Sequence, residues 1–445
     1  MDFLDLYLLT FNCARTPIDV DLFAAHLFDA LPSRARSSRE NPASCEPPEL
    51  IVLCLQEIAP IAYAFLGGSY LAPYFGLFDK AVDQAVSKRW GAGYACVVRE
   101  NTGMTGLLVY ARSDVAGKVS RIDTAHVGVG FYQMGNKGAV GARLGYLTNE
   151  QDGQPMDLTF VAAHLAPMEF AFEQRNADWR SIVERLVFSK RGTGTTSGRA
   201  RIEGENGSEE RTALLRDSEG GQDGMFVPTT YLFFGGDLNY RTSNTRPTEN
   251  DHVRFPQAGA DPSSPAHYSQ LLKDDQLTRE MRLSRSLHGL SEAPIDFPPT
   301  YKYRWLGGNE DDWRWVLGRW PSWCDRILYL DTPSWMPGLP AVKQHAYEAL
   351  PLFPTSDHRP VALAISVPLK AIRLPDEAEE EADVRLRAPF PLDPDWETKQ
   401  NAARTKEVTV GLAAYLVLTW EGNGILLASA MGVLGTWLVL RSLAV

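Results

Sequence analysis

Apolar runs of strand length recur along this chain, and each is bounded at one end by a carboxylate, an amide or an imidazole. Residues 3–11 lead to Asn12, residues 50–55 to Gln56 and Glu57, and residues 158–163 to His164. The run 231–234 passes through Gly235 and Gly236 to Asp237 and Asn239. Asp325 stands just before one further run, and Asp357 with His358 just before another. Strands packed side by side would gather these ends on one rim. A single Asp at a strand boundary is most simply a cap or turn residue. Its repetition in strand after strand shifts the reading from local geometry to chemistry.

The stretch FFGGDLNYR, residues 233–241, carries the most information. On an extended backbone, residues two apart project to the same side, so Asp237 and Asn239 are expected to face one cavity. Gly235 and Gly236 lack a β-carbon and would let a substrate or metal approach the backbone. A carboxylate beside a neutral amide suits a site that holds a hard cation and positions water next to a phosphate.

A chain of 445 residues with 44% hydrophobic content can bury a large core, either as one sheet-based domain or as two or three smaller ones. The net charge of −11 argues against broad electrostatic binding of nucleic acid, though not against a small basic pocket. Cysteines 13, 45, 54, 96 and 324 are scattered without a CxxC, which fits a reducing compartment and no zinc site. Asp2 and Asp5 interrupt the first residues, so no signal peptide is expected there.

Between the strand runs, Pro17 predicts a short helix, residues 33–48 read as a surface loop, and residues 94–98 with 106–111 read as a hairpin. The segment 128–141 is glycine-rich, with Asn136 and Lys137 at its centre. Pro167 is expected to open a helix whose stripe of Phe172, Trp179, Val183 and Leu186 packs into the core. Residues 189–224 are polar and Gly-rich and read as a disordered insertion; a helix is expected around 269–286. Residues 373–407 are acidic and proline-containing, and read as a linker between a body of residues 1–372 and a tail of residues 408–441. That tail holds two apolar runs, 408–420 and 424–440, around Glu421, Gly422 and Asn423. Together they exceed one straight crossing, so either the second spans a bilayer while the first lies in the interface, or the two form a hairpin. A buried helix pair is the alternative. With a short span, the expected location is the cytosolic face of the endoplasmic reticulum. No protein partner can be read from these residues.

FFGGDLNYR and RWPSWCDRIL resemble the two signature motifs of the inositol polyphosphate 5-phosphatases. MGNKGAV, AHLAP followed by EQRNADW, PPTYKY and TSDHRPV resemble further blocks of that family in the same order, so the resemblance runs from about residue 3 to 367. It implies an α/β fold, a four-layer α/β/β/α sandwich of two mixed sheets, shared with metal-dependent nucleases of the DNase I type. It also implies Mg²⁺ held by Glu57 with help from Asn12, and a water oriented or activated by Asp237. Asn239 would hold the scissile phosphate, His164 and His358 would bind its oxygens, Asp325 would pair with His358, and Asp357 would support the metal or water. Tyr301 and Lys302 would contact the 4-phosphate, and Asn136 and Lys137 the 1-phosphate side; Arg241 and Arg326 are the further substrate-binding candidates. Phe131 and Tyr132 stand where the family carries residues that dip into the bilayer.

These roles agree with the residue types. Mg²⁺ takes oxygen ligands from one or two carboxylates and keeps several waters. Phosphate hydrolysis asks mainly for charge neutralisation and an in-line water. An Asp behind a His favours its charged, donating form. Cys324 reads as packing rather than as a nucleophile. Leu317 occupies a position where the family usually has lysine, which weakens dependence on the 4-phosphate unless Arg314 substitutes. Phe11 replaces a usual Trp. The expected activity is Mg²⁺-dependent conversion of phosphatidylinositol 4,5-bisphosphate to phosphatidylinositol 4-phosphate on a membrane-anchored chain. A nuclease or phosphodiesterase on the same fold, or a non-catalytic lipid-binding scaffold, are the alternatives.

Overall fold

The computed structural model describes residues 2–31, 46–148, 154–190, 224–308, 312–375 and 383–443. The expected insertion at 189–224, the loop at 33–48 and the acidic run at 376–382 lie wholly or mostly outside the described residues.

Two parallel strand pairs form the centres of two sheets. β1 (Phe3–Asn12) and β2 (Leu50–Gln56) start the first. The hairpin of β3 (Tyr94–Thr102) and β4 (Thr105–Arg112) extends it beyond β2, and β15 (Val361–Pro368) with β14 (Lys343–Ala349) beyond β1. In the second sheet β7 (Met156–His164) pairs in parallel with β9 (Thr230–Asp237). β6 (Gly138–Tyr146), β5 (Val119–Gly128) and β8 (Ser189–Lys190) continue beyond β7, and β13 (Asp325–Tyr329) and β10 (Ser291–Glu292) beyond β9. A small separate hairpin joins β11 (Tyr303–Trp305) to β12 (Trp313–Trp315).

The layers follow from which faces are apolar. Leu6, Leu8, Val52 and Cys54 of the first sheet pack against Phe160, Ala162 and Phe233 of the second. The outer face of the first sheet carries Phe11 and Leu53 against Phe23 of α1 (Val20–His26) and Phe78 of α3 (Ala72–Trp90); α2 (Ile61–Leu66) precedes α3. The outer face of the second packs Phe234 against Trp179 of α4 (Phe172–Arg185), with Leu277 of α6 (Gln276–Arg282) in the same cluster. Both sheets mix parallel and antiparallel pairs, so this is the expected α/β/β/α sandwich. Its register gathers the strand ends: Asn12 lies opposite Gln56, and Asp237 lies between His164 and Asp325.

Three expectations change. The helix at 269–286 is two short ones, α5 (Tyr268–Leu272) and α6, because the Asp275 side chain accepts from the Thr278 amide at 2.9 Å and starts a new helix. Pro167 does not open α4, which begins at Phe172; the loop before it is held by the Arg175 guanidinium, which donates to the carbonyls of Ala166 and Met168. Residues 383–407 are not a free linker. Arg385 is buried, donating to the Thr230 carbonyl and to Asp331, and α7 (Trp396–Leu418) runs across the expected linker–tail boundary. Ala403, Glu407 and Gly411 are its buried residues. After Thr419 turns the chain, α8 (Trp420–Leu443) follows with mean hydropathy 1.7 over its most apolar stretch and none of that stretch buried. Its 24 residues span about 36 Å.

Candidate active site

A cavity of about 500 Å³ opens on the rim where the central strands end. Asn12, Glu57, Lys137, His164, Asp237, Asn239, Arg241, Tyr301, Lys302, Asp357 and His358 all line it. Asp237, 1% exposed, is its hub. One carboxylate oxygen accepts from the Asn12 amide at 2.9 Å and lies 3.2 Å from His164 Nε2 and 4.0 Å from His358 Nε2; the other accepts from the Asn239 backbone at 3.1 Å. Burial alone would raise this carboxyl, but the hydrogen bond and charge of His164, with His358 and Lys137, hold it well below the carboxylate range.

His358 is oriented from behind. Its Nδ1 lies 2.9 Å from Asp325 Oδ2, and its backbone N–H donates to Ser356 Oγ at 3.0 Å. Burial opposes the charged imidazolium, but Asp325 and Asp237 outweigh it and raise His358 to about 9. Thr300 Oγ1 donates to the same Asp325 oxygen at 2.7 Å. Burial pushes Asp325 itself up to about 6. The pair is therefore zwitterionic between those two pH values. Asp325 does not line the cavity; it acts through His358.

Lys137 reaches into the cavity: its ammonium contacts His164 Nε2 and lies 3.7 Å from Glu57 Oε1. Burial lowers its pKa, against the pull of Asp237 and Glu57. Lys302 pairs with Asp357 at the cavity wall. Arg241 donates to the Asn239 carbonyl and side chain, stacks 4.2 Å from the Tyr301 ring, and keeps a buried Nη1 without a hydrogen-bond acceptor among the described residues. Asn239 does face Asp237, but not by strand alternation: β9 ends at Asp237, and Asn239 turns left-handed at φ 58°.

Besides Asp325, two of the expected residues lie off the cavity. Arg326, one residue beyond Asp325 on β13, points to the opposite face and forms a buried ion pair with Glu292 and Asp275. Asn136 turns its Oδ1 toward Gly130, where a β-carbon would come within 2.2 Å of it. Leu317 and Arg314 line another cavity, with His252 and Trp315, and are not among the residues lining the one at Asp237. Gly236 serves the sheet rather than ligand approach: a β-carbon on it would meet the Ala163 carbonyl at 1.9 Å, whereas one on Gly235 would make only ordinary contacts, at 3.4 Å and beyond. Cys324 is buried, and burial raises its thiol, which suits packing.

Sequence reasoning missed Arg15, whose guanidinium holds Glu57 at 3.0 Å, and the two hydroxyls, Thr300 and Ser356, behind His358. Thr300 and Ser356 lie inside PPTYKY and TSDHRPV, so the motifs were the available signal; Arg15 had none.

The oxygen donors at Glu57, Asn12 and Asp237 suit a hard divalent cation. Asp237, Asp325 and His358 also offer ligand atoms within 4.8 Å of one another, but His358 Nδ1 already hydrogen-bonds Asp325. Acidic and basic groups thus alternate around one partly enclosed space, an arrangement that can bind a phosphate and a cation together.

The family model described as endonuclease/exonuclease/phosphatase family 2 matches residues 9–364. Type I inositol polyphosphate 5-phosphatase 13 of Arabidopsis thaliana is 30% identical over 334 residues, 70% of this chain and 27% of that protein. The polyphosphatidylinositol phosphatase INP53 of Saccharomyces cerevisiae is 27% identical over 319 residues, 71% of this chain and 23% of that protein. Across five such Arabidopsis enzymes the chain spans 22% to 39% of each relative's length. Among solved structures, the inositol polyphosphate 5-phosphatase domain of SPsynaptojanin, in complex with inositol (1,4)-bisphosphate and calcium, superposes with a TM-score of 0.56 at 20% identity. That match covers 82% of this chain and 84% of the other, and is a likeness of fold.

Proposed function

We propose that this chain, which belongs to the endonuclease/exonuclease/phosphatase family 2, hydrolyses the 5-phosphate of inositol phosphates and phosphoinositides, with phosphatidylinositol 4,5-bisphosphate as its lipid substrate. The observation that carries this reading is the hub at Asp237. A carboxylate held acidic by two imidazoles and a lysine, facing a cavity lined by further cations, suits an attacking water beside a phosphate. The names of the relatives supply the substrate class.

In this reading Asp237 orients the water, fixed by the Asn12 amide and the Asn239 backbone. His358, kept protonated by Asp325, donates to a phosphate oxygen, and His164 with Lys137 and the buried Nη1 of Arg241 meet the remaining charge. Lys302 and Tyr301, at the outer wall, receive the neighbouring phosphate of the ring. Glu57, with Asn12, would hold Mg²⁺, which supplies charge neutralisation and a more acidic bound water. α8 would hold the chain at a bilayer, with the endoplasmic reticulum as the expected membrane.

The test is release of inorganic phosphate from short-chain phosphatidylinositol 4,5-bisphosphate in the presence of Mg²⁺. Asp237→Ala is expected to abolish it, and full activity in that variant would overturn the assignment. A panel of phosphoinositides and soluble inositol phosphates reads the selectivity left by Leu317.

A further inference from the structure

α7 touches the loop that carries Lys137 and the end of α2 without lining the cavity. Glu407 is 5% exposed, although it belongs to a helix that continues toward the apolar tail. Its Oε1 accepts from the Gly135 backbone amide at 2.7 Å, two residues before Lys137. Its Oε2 pairs with Arg404 Nη1 at 3.1 Å, and Arg404 donates on to the carbonyls of Phe65 at 2.8 Å and Leu66 at 3.0 Å. Those carbonyls end α2, the helix that follows Glu57.

A second route joins the same points through the backbone. The Gly135 carbonyl accepts from Met104 N–H at 2.9 Å, and the Met104 carbonyl accepts from Ile58 N–H, next to Glu57, at 3.3 Å. Packing is tight along the way. A β-carbon at Gly411 would come within 2.9 Å of Phe65, and one at Gly135 within 2.8 Å of the Gly103 nitrogen. Burying a carboxylate is costly unless its oxygens are matched. Here one oxygen meets the loop that carries Lys137 and the other the cation that caps the end of α2. Packing of an amphipathic helix alone would need neither.

We propose that Glu407 is a positioning residue for the catalytic site, so that the helix leading into the apolar tail is also the strut that sets Lys137 against Glu57. The inference rests on the functional reading above for its catalytic arm and on contacts alone for its structural arm. By this account the loop carrying Lys137 stays in register only while α7 is docked. Loss of α7 contacts lowers turnover without touching a group that meets substrate.

The test uses the full chain in detergent micelles, with Glu407→Ala and Glu407→Gln. Glutamine keeps an acceptor for the Gly135 amide; alanine does not. Hydrogen exchange is followed in residues 129–138 and 58–66, alongside kcat and KM on a soluble short-chain phosphatidylinositol 4,5-bisphosphate. Glu407→Ala is expected to speed exchange in both segments and to lower kcat about 10- to 100-fold, with the smaller effect on KM. Glu407→Gln is expected to restore most of the kcat and the protection of residues 129–138. Unchanged exchange in Glu407→Ala, or faster exchange with unchanged kcat, overturns the proposal. If Glu407→Ala does not fold, Arg404→Met decides: it should loosen residues 58–66 while leaving 129–138 protected, and no loosening overturns the proposal. If the wild type releases no phosphate from any inositol substrate, the functional reading falls, and exchange alone decides whether Glu407 holds the loop.

Discussion

His358 keeps its proton because Asp325 stands behind it and Asp237 in front. Activity is therefore expected to be highest between about pH 6 and pH 9, falling below as Asp325 is protonated and above as His358 loses its charge. In Asp325→Asn the alkaline limb should move down from about 9, since the main opposing charge is gone; a pH–rate profile of kcat checks it. Because the folded value of His358 lies above its ordinary one, its contribution to folding is full below about 6.5 and is lost as pH rises through about 9. Glu57→Gln should raise the Mg²⁺ concentration needed for half-maximal rate, and chelation should stop phosphate release while leaving the circular dichroism spectrum unchanged. At this scale the identities were legible and the directions were not. Asp325 and Arg326 are adjacent letters in WCDRI, yet one backs the His358 imidazole in the cavity and the other closes a buried ion pair with Glu292. Only the alternation of β13, once its register with β9 is known, separates them.

Among the elements, the central strands were the easiest to read. Runs such as 50–55 are apolar throughout because β2 is covered on both faces, by the other sheet and by the helices outside. Gly236 of β9 was visible and its purpose was not, since a close approach to a ligand and a close approach to a neighbouring strand look alike in sequence. Gly236→Ala should destabilise the fold by about 3 kcal/mol, the cost of overpacking a β-carbon against the Ala163 carbonyl, as measured by denaturant unfolding. The segment 383–407 was misread because its polar composition matches a solvated linker. Arg385 and Glu407 are charged letters that the fold uses as buried fasteners, and no local pattern marks them.

The molecule as a whole is one sandwich with an apolar helix beside it. α8 is long enough for a hydrocarbon core of about 30 Å, so the chain is expected to stay with the bilayer in alkaline carbonate, and extraction into the supernatant would remove the anchoring role. Val433→Arg, near the middle of α8, should weaken insertion by about 3 kcal/mol on a translocon scale, read as a larger extractable fraction. Phe131 and Tyr132, both about two-thirds exposed or more, lie on the loop that Glu407 grips, and Lys406 sits over the Tyr132 ring. With α7 fastened to the body and only Thr419 separating it from α8, an inserted molecule has almost no slack. A floppy stalk would let the cavity sweep a wide hemisphere and crop headgroups from an apposed membrane. A short, stiff neck fixes one height and one tilt, so lengthening it with a flexible insert at Thr419 should change the rate on bilayer-borne substrate while leaving the rate on a soluble short-chain one unchanged.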